Sequence, residues 1–305
     1  MNETNEFEGR TEPRRQARGA LSAGGHPWVT IAYIATCVGV FLTIVTGPEP
    51  GSPESLARFG VMDARALRAG AWYGLFTPAV VHVEIWHIAM NMYVLWLFGA
   101  VLERGIGSFK YLALIVVAAF VSSTGQFALG DSTGIGASGM LFAIFGFMWV
   151  ARPYSVEFQH IVHDGNVRPI LGWLFLCIPL TWFGVIPVAN GAHFAGLLLG
   201  MGVAALFVRR YRPKLVATGL VFLLTLPTVT LFWCPWSLLW LADEAHAHHL
   251  AREYDDALRR YTQVIEMDPQ NGWAYANRSM VYAQLGQREE AERDRERAEE
   301  LGEFR

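Results

Sequence analysis

Long apolar runs alternate with short polar breaks from about residue 28 to residue 241, and the pattern stops abruptly beyond that point. A helix needs about 20 mostly apolar residues, with a range of roughly 17–25, to cross the hydrocarbon core of a bilayer. Runs of this kind lie at roughly 28–46, 84–102, 109–129, 138–151, 169–187, 192–208 and 215–241, which predicts seven spans. The fourth is short. The last holds Pro227 and Pro235, residues that kink or break helices. The first run is read as a true span and not a signal peptide, because it lies away from the start and has no cleavage-site pattern.

The pattern predicts an all-α chain, a polytopic membrane helix bundle with a small helical tail. Residues 1–27 read as a polar, disordered cytoplasmic N-terminus, and 28–208 as a six-helix membrane core. Residues 209–241 hold an additional span, and 242–305 form the tail.

Composition agrees with that division. Of 305 residues, 53% are hydrophobic and only 17% charged, with mean hydropathy +0.28, too apolar for an ordinary soluble domain. The net charge of −3 says little about partners, and no basic patch with interleaved aromatics points to nucleic acid. Cys37, Cys177 and Cys234 all lie in apolar runs without metal-ligand spacing and read as small buried hydrophobes.

Basic residues set the expected orientation. Arg10, Arg14, Arg15 and Arg18 precede the first span and place the N-terminus in the cytoplasm. Arg104 and Lys110, then Arg152 and Arg168, then Arg209, Arg210, Arg212 and Lys214 fall on the same side. The loop 47–83 goes outside, although it carries Arg58, Arg65 and Arg68, a mild violation of the rule.

Polar groups inside apolar runs are costly in a membrane, and they mark candidate function. Ser138 opens the fourth run in Gly136-Ala137-Ser138-Gly139, and His193 opens the sixth in Ala192-His193-Phe194-Ala195-Gly196. The threading puts both near the outer ends of their helices. Ala192, Gly196, Gly200 and Ala204 form a small-residue stripe on the sixth span, and Gly139, Ala143 and Gly146 one on the fourth. Such stripes let helix backbones approach closely. A serine beside a histidine is the minimum nucleophile and base.

His87 and Asn91 share a face of the second span, because they are four residues apart. Both can donate hydrogen bonds, and acyl transfer needs donors where negative charge develops on a carbonyl oxygen. With the backbone N–H of Ser138 they compose a candidate oxyanion hole. His82, Glu84 and His87 lack the His-Glu-x-x-His spacing of a zinc protease. Asp131 has no second intramembrane aspartate for an aspartyl mechanism. No metal or cofactor is expected.

These residues resemble the rhomboid family of intramembrane serine proteases over roughly residues 28–208. His87-Ile-Ala-Met-Asn91, with Leu95, Gly99, Leu102-Glu103-Arg104 and Gly107, is similar to the family's His-x-x-x-Asn helix and its Glu-Arg end. Thr77-Pro78 and His82 fit upstream. Gly136-Ala137-Ser138-Gly139 and Ala192-His193-x-x-Gly196 match its nucleophile and base motifs, in family order. The resemblance implies a Ser138–His193 dyad without an acidic third member, and His87 and Asn91 as oxyanion-hole side chains. It also implies an aromatic ring, Phe142, packed on the base, and structural roles for His82 and Glu103. One departure is Trp72-Tyr73 where the family often has Trp-Arg, which leaves the basic role either moved to Arg68 or lost.

In the tail, Tyr254, Ala257, Tyr261 and Pro269 are spaced as in a tetratricopeptide repeat. Ala257 and Ala291 are 34 residues apart, as are Ala242 and Ala276, which is that repeat's period. Leu285-Gly286 would turn the second unit. Nearly two repeats are fewer than the three usually needed for a stable array, so the tail is expected to lean on the membrane domain, a partner or a second copy. His246, His248 and His249 with Glu244 read as a solvated helix face more readily than as a metal site.

The expectation is a multi-pass protease of a bacterial plasma membrane that cleaves transmembrane substrates in or beside the bilayer, with its active site near the outer face. Its partners would be membrane-helix substrates, the lipid bilayer and a protein met by the tail. The alternative is a catalytically inactive relative that binds membrane helices. A mere membrane anchor for the tail would leave the polar residues on three spans unexplained.

Overall fold

The computed structural model describes residues 24–208 and 212–303. Most of the polar N-terminal segment, and Arg209 and Arg210 of the basic loop, therefore lie outside the described residues. Among those described, regular structure is entirely helical. The chain divides into two compact units, one up to Leu231 and the other from Phe232 onward.

The first unit opens with α1 (Trp28–Thr46). Two short helices follow, α2 (Pro53–Arg58) and α3 (Ala64–Arg68), whose starts are capped by the side chains of Ser52 and Asp63. Single 3-10 turns at Trp72–Leu75 and Thr77–Val80 lead into α4 (Ile85–Ile106). Gly107 turns the chain at φ 87°, a left-handed conformation that suits glycine, and α5 (Ser108–Gly130) begins at once. Then come α6 (Ser138–Ala151), the short α7 (Val156–Ile161), α8 (Asp164–Trp182), α9 (Asn190–Phe207) and α10 (Pro213–Val229).

α1, α4, α5 and α9 are long and apolar enough to cross a membrane. Their bounds follow the expected runs closely. α4 carries a π-helical stretch at Leu95–Gly99, and a Cβ on Gly99 would lie 2.5 Å from the Tyr111 hydroxyl. The bulge and the missing side chain make room for Tyr111, which is fully buried.

α6 is the axis of this unit. Its residues from Gly139 to Met148 are buried without interruption, as expected of a helix that is apolar all round. At 14 residues it is shorter than the helices around it. α9 lies along it on the small stripe. A Cβ on Gly196 would overlap the carbonyl of Gly139, one on Gly200 would overlap that of Ala143, and one on Gly146 would meet the Leu197 carbonyl at 2.6 Å. Backbone therefore meets backbone along the whole seam.

Two expected runs end differently in the structure. The run 169–187 begins at Asp164, where the His163 side chain accepts from the Gly165 N–H and caps the helix, and it stops at Trp182 before a left-handed Gly184. The run 215–241 divides. α10 ends at Val229 after Pro227, a non-helical stretch contains Pro235, and Ser237 caps a new helix. The last apolar residues of that run, Leu238 to Leu241, thus belong to the second unit.

That unit is two helical hairpins, α11 (Leu238–Leu250) with α12 (Tyr254–Met267) and α13 (Gly272–Gln284) with α14 (Arg288–Glu300). Trp240, Leu241, Val264 and Ala274 form one small core, and Ala245, Ala257, Tyr261 and Val281 another. Gly286, at φ 76°, makes the turn between α13 and α14. Arg278 ties the second hairpin together. Its Nε and Nη2 donate to the two oxygens of Asp294 at 2.7 and 2.9 Å, and its Nη1 donates to Thr262.

Candidate active site

Ser138 begins α6 and His193 lies in the first turn of α9, so the seam between the two helices carries both to one place. Ser138 Oγ and His193 Nε2 are 2.8 Å apart, a hydrogen bond in which the serine hydroxyl donates when the ring proton sits on Nδ1. His193 is buried, and its Nδ1 has no hydrogen-bond partner among the described residues. The ring is held instead by packing. Phe142, one turn along α6 from Ser138, faces it with ring centroids 4.7 Å apart.

The turn into α6 is fixed from the loop that precedes α4. Gly136 donates its N–H to the Pro78 carbonyl at 2.9 Å, and the Ala137 N–H points at His82 Nε2 at 3.3 Å. His82 is fully buried. Gly136 adopts φ 102°, and a Cβ there would meet His87 Cε1 at 2.6 Å. His87 therefore lies directly against the backbone two residues before Ser138, edge-on to His82 with ring centroids 5.0 Å apart.

At the start of α6 the first amide to bond back along the helix is that of Leu141, to the Ala137 carbonyl. The N–H groups of Ser138, Gly139 and Met140 are thus the unshared amides of a helix start, where the helix dipole favours negative charge. Asn91 is buried on the His87 face of α4. Its amide nitrogen donates to the His87 carbonyl at 2.8 Å, so one of its two N–H bonds is already used within its own helix. The structure thus brings Ser138, His193, Phe142 and His87 into one neighbourhood, with Asn91 one helical turn beyond.

A small cavity of about 20 Å³ opens beside Ser138, lined by Pro78, Ser122, Ser123, Thr133, Gly134 and Ala192 among others. It has room for about one water-sized sphere. Gly139 backs onto Ser122, where a Cβ would come within 2.6 Å of that side chain. The seryl hydroxyls of α5 were not visible as site residues in the sequence, because a serine inside an apolar run carries no pattern of its own.

Two further contacts support the surrounding helices, and their partners were not evident in the sequence. Arg68, at the end of α3, pairs with Asp131 at 2.7 Å and lies over the Phe127 ring. Asp131 ends α5 and begins the segment that leads to Ser138. Glu103, buried near the end of α4, accepts from the Val29 N–H, the Thr30 N–H, the Thr30 hydroxyl and the Ser108 hydroxyl, all within 2.9 Å. One carboxylate thereby caps the start of α1.

Residues 69–210 match the model of the rhomboid domain, and residues 249–293 match a tetratricopeptide repeat model. The stretch 69–210 is thus similar to a rhomboid domain. It is 28% identical over 196 residues to the rhomboid protease GluP of Bacillus subtilis (strain 168), covering 64% of this chain and 38% of that relative. It is 27% identical over 187 residues to the rhomboid protease GlpG of Enterobacter sp. (strain 638), covering 57% and 61%. Identity to the GlpG of Klebsiella pneumoniae (strain 342) is 30% over 186 residues, covering 60% and 63%. The chain therefore spans less than two thirds of the length of each of these relatives. The rhomboid match takes in every candidate site residue from His82 to His193, and the repeat match takes in most of the tail.

Of the four tail residues considered for a metal, His246 faces Trp273, His249 faces Tyr261, and His248 Nε2 lies 3.9 Å from Glu244. His248 Nδ1 pairs with Glu253 at 2.6 Å, with Asp256 nearby.

Proposed function

We propose that this chain is an intramembrane serine protease that hydrolyses peptide bonds in or beside transmembrane helices of other proteins. The observation that carries the reading is the 2.8 Å hydrogen bond from Ser138 Oγ to His193 Nε2. That is the geometry of a nucleophile within reach of its base.

In this reading His193 Nε2 takes the hydroxyl proton as Ser138 Oγ attacks the substrate carbonyl. The electron pair of the C=O bond moves to oxygen. The unshared N–H groups at the start of α6 are aimed where that oxyanion forms, and His87 and Asn91 supply side-chain donors. When the tetrahedral intermediate collapses, the C–N bond breaks and His193 returns its proton to the leaving amine. Water, deprotonated by the same imidazole, then cleaves the acyl ester and restores Ser138. With no acidic partner on Nδ1 among the described residues, the aim of the ring rests on Phe142 and on the α6–α9 seam.

The basic residues between the spans support an N-terminus in the cytoplasm and a site toward the outer face. The relatives named above are bacterial, which supports a bacterial plasma membrane. The tail is read as a protein-interaction module on the strength of its repeats.

The test uses the full chain in liposomes with a model transmembrane substrate and a fluorophosphonate probe. Wild type should cleave and label, and Ser138→Ala and His193→Ala should do neither. Cleavage by Ser138→Ala at the wild-type rate would overturn the reading.

A further inference from the structure

A two-repeat array leaves two ends to cover, and here the ends differ. The C-terminal end is α14, in which only Asp294 and Ala298 are buried and most of the outer positions are Glu and Arg. It closes the array with a polar face, as a terminal repeat helix must. The N-terminal end is the opposite in character. Phe232, Trp233, Trp236 and Leu239 are exposed there, the two indoles by 55% and 52%, and the indoles pack edge-on with centroids 5.9 Å apart.

What precedes that end identifies its occupant. α10 is an apolar helix of 17 residues with none of them buried, and it exposes Leu215, Val221, Phe222, Leu226 and Val229. A helix whose one charged residue, Lys214, lies in its first turn, and which has so little of its surface covered by protein, is one that lipid covers. Leu231, the last residue of the first unit, packs with Ala64, Leu67, Leu75 and Phe127, at the end of the bundle where Arg68 meets Asp131. The aromatic segment thus follows the lipid-facing helix directly in sequence. Tryptophan is the residue that settles at the boundary between hydrocarbon and water, its ring apolar and its N–H able to reach a polar partner.

We infer that the segment Phe232–Leu239 is an interfacial anchor, and that the bilayer surface takes the place of the missing first repeat. The occupant is lipid, not a protein partner and not a second copy. The anchor holds the start of the tail at the membrane surface whether or not the chain is a protease.

Site-directed spin labelling of the full chain in liposomes tests this. Single variants Trp236→Cys and Leu239→Cys carry the label. Glu296→Cys on α14 is the aqueous reference, and the buried native cysteines stay unlabelled. The labels at 236 and 239 should collide with oxygen several-fold more readily, relative to a water-soluble nickel complex, than the label at 296. Labels at 236 and 239 that are as open to nickel as the reference would overturn the proposal. So would labels shielded from both reagents, which would mean that protein covers the segment. Should either cysteine variant fail to fold, Trp233→Phe with Trp236→Phe keeps the ring volume nearly intact. Brominated lipids should quench less of the tryptophan emission in that variant than in wild type, and equal fractional quenching would overturn the anchor.

Discussion

Gly196 of α9 rests on the carbonyl group of Gly139 of α6, with no room for even a methyl group between them. Gly139 stands one residue after Ser138 and Gly196 three after His193, so this close approach of the two helices also sets the distance between the two side chains. Gly196→Ala should destabilise the domain by about 1–3 kcal/mol, the usual cost of overpacking a tight core. It should also reduce fluorophosphonate labelling more than that loss of stability accounts for. Gly219→Ala on α10, where a Cβ meets nothing within 4 Å, is the control and should leave both unchanged. Thermal unfolding in detergent and labelling rates on the same samples make the comparison.

Gly136 offers a separate prediction. A Cβ there would need an unfavourable positive φ and would strike His87. Gly136→Ala should therefore disturb the donor side of the site while leaving Ser138 next to His193. Labelling should fall at least tenfold, a loss of about 1.4 kcal/mol in transition-state stabilisation. Wild-type labelling in this variant would remove His87 and the 136–137 turn from the machinery.

Glu103 carries a prediction about stability alone. It satisfies two backbone N–H groups at the start of α1 and two hydroxyls. Removing a buried acceptor strands its donors at about 1–3 kcal/mol each, and this carboxylate serves several. Glu103→Ala should lower the unfolding midpoint more than Thr30→Val, which deletes one hydroxyl contact. In the fraction still folded, the ratio of Ser138 labelling to folded protein should match wild type.

Arg278 provides the corresponding test in the tail. Its guanidinium bridges Asp294 and Thr262 and lies near the rings of Tyr275 and Tyr282. Arg278→Ala leaves Asp294 buried without its cation, a loss on the order of 3 kcal/mol. Arg278→Lys should recover only part of it, because an ammonium cannot make the forked contact. Hydrogen exchange should speed up over residues 272–300 and stay as in wild type in α6 and α9.

Much of this was legible in the sequence, and the parts that were not share a physical cause. Periodicity and run length located α1, α4, α5, α6 and α9, because helices that face lipid or a buried core are apolar along their whole length. The small stripes on α6 and α9 gave the seam, since close packing leaves a trace at four-residue spacing. Ser138, His193, His87 and Asn91 stood out because polar groups are rare in such runs. Arg68 with Asp131, Pro78 with Gly136 and Thr30 with Glu103 left no comparable trace. Each joins residues more than fifty positions apart through one hydrogen bond or ion pair, and no local pattern encodes that. The break between α10 and α11 was blurred because Leu238–Leu241 is as apolar as a span, although Trp240 and Leu241 pack inside a repeat.

α6 has a further consequence through its length. At 14 residues it reaches only about 21 Å, well short of a hydrocarbon core of about 30 Å. Ahead of it runs the non-helical stretch 131–137, whose amides need partners wherever water does not reach them. The Pro78 carbonyl and the His82 ring supply two of them. The loop before α4 therefore does for this backbone what solvent does for an ordinary turn. By substituting for water there, it allows the Ser138 hydroxyl to stand at the head of a helix shorter than a bilayer core.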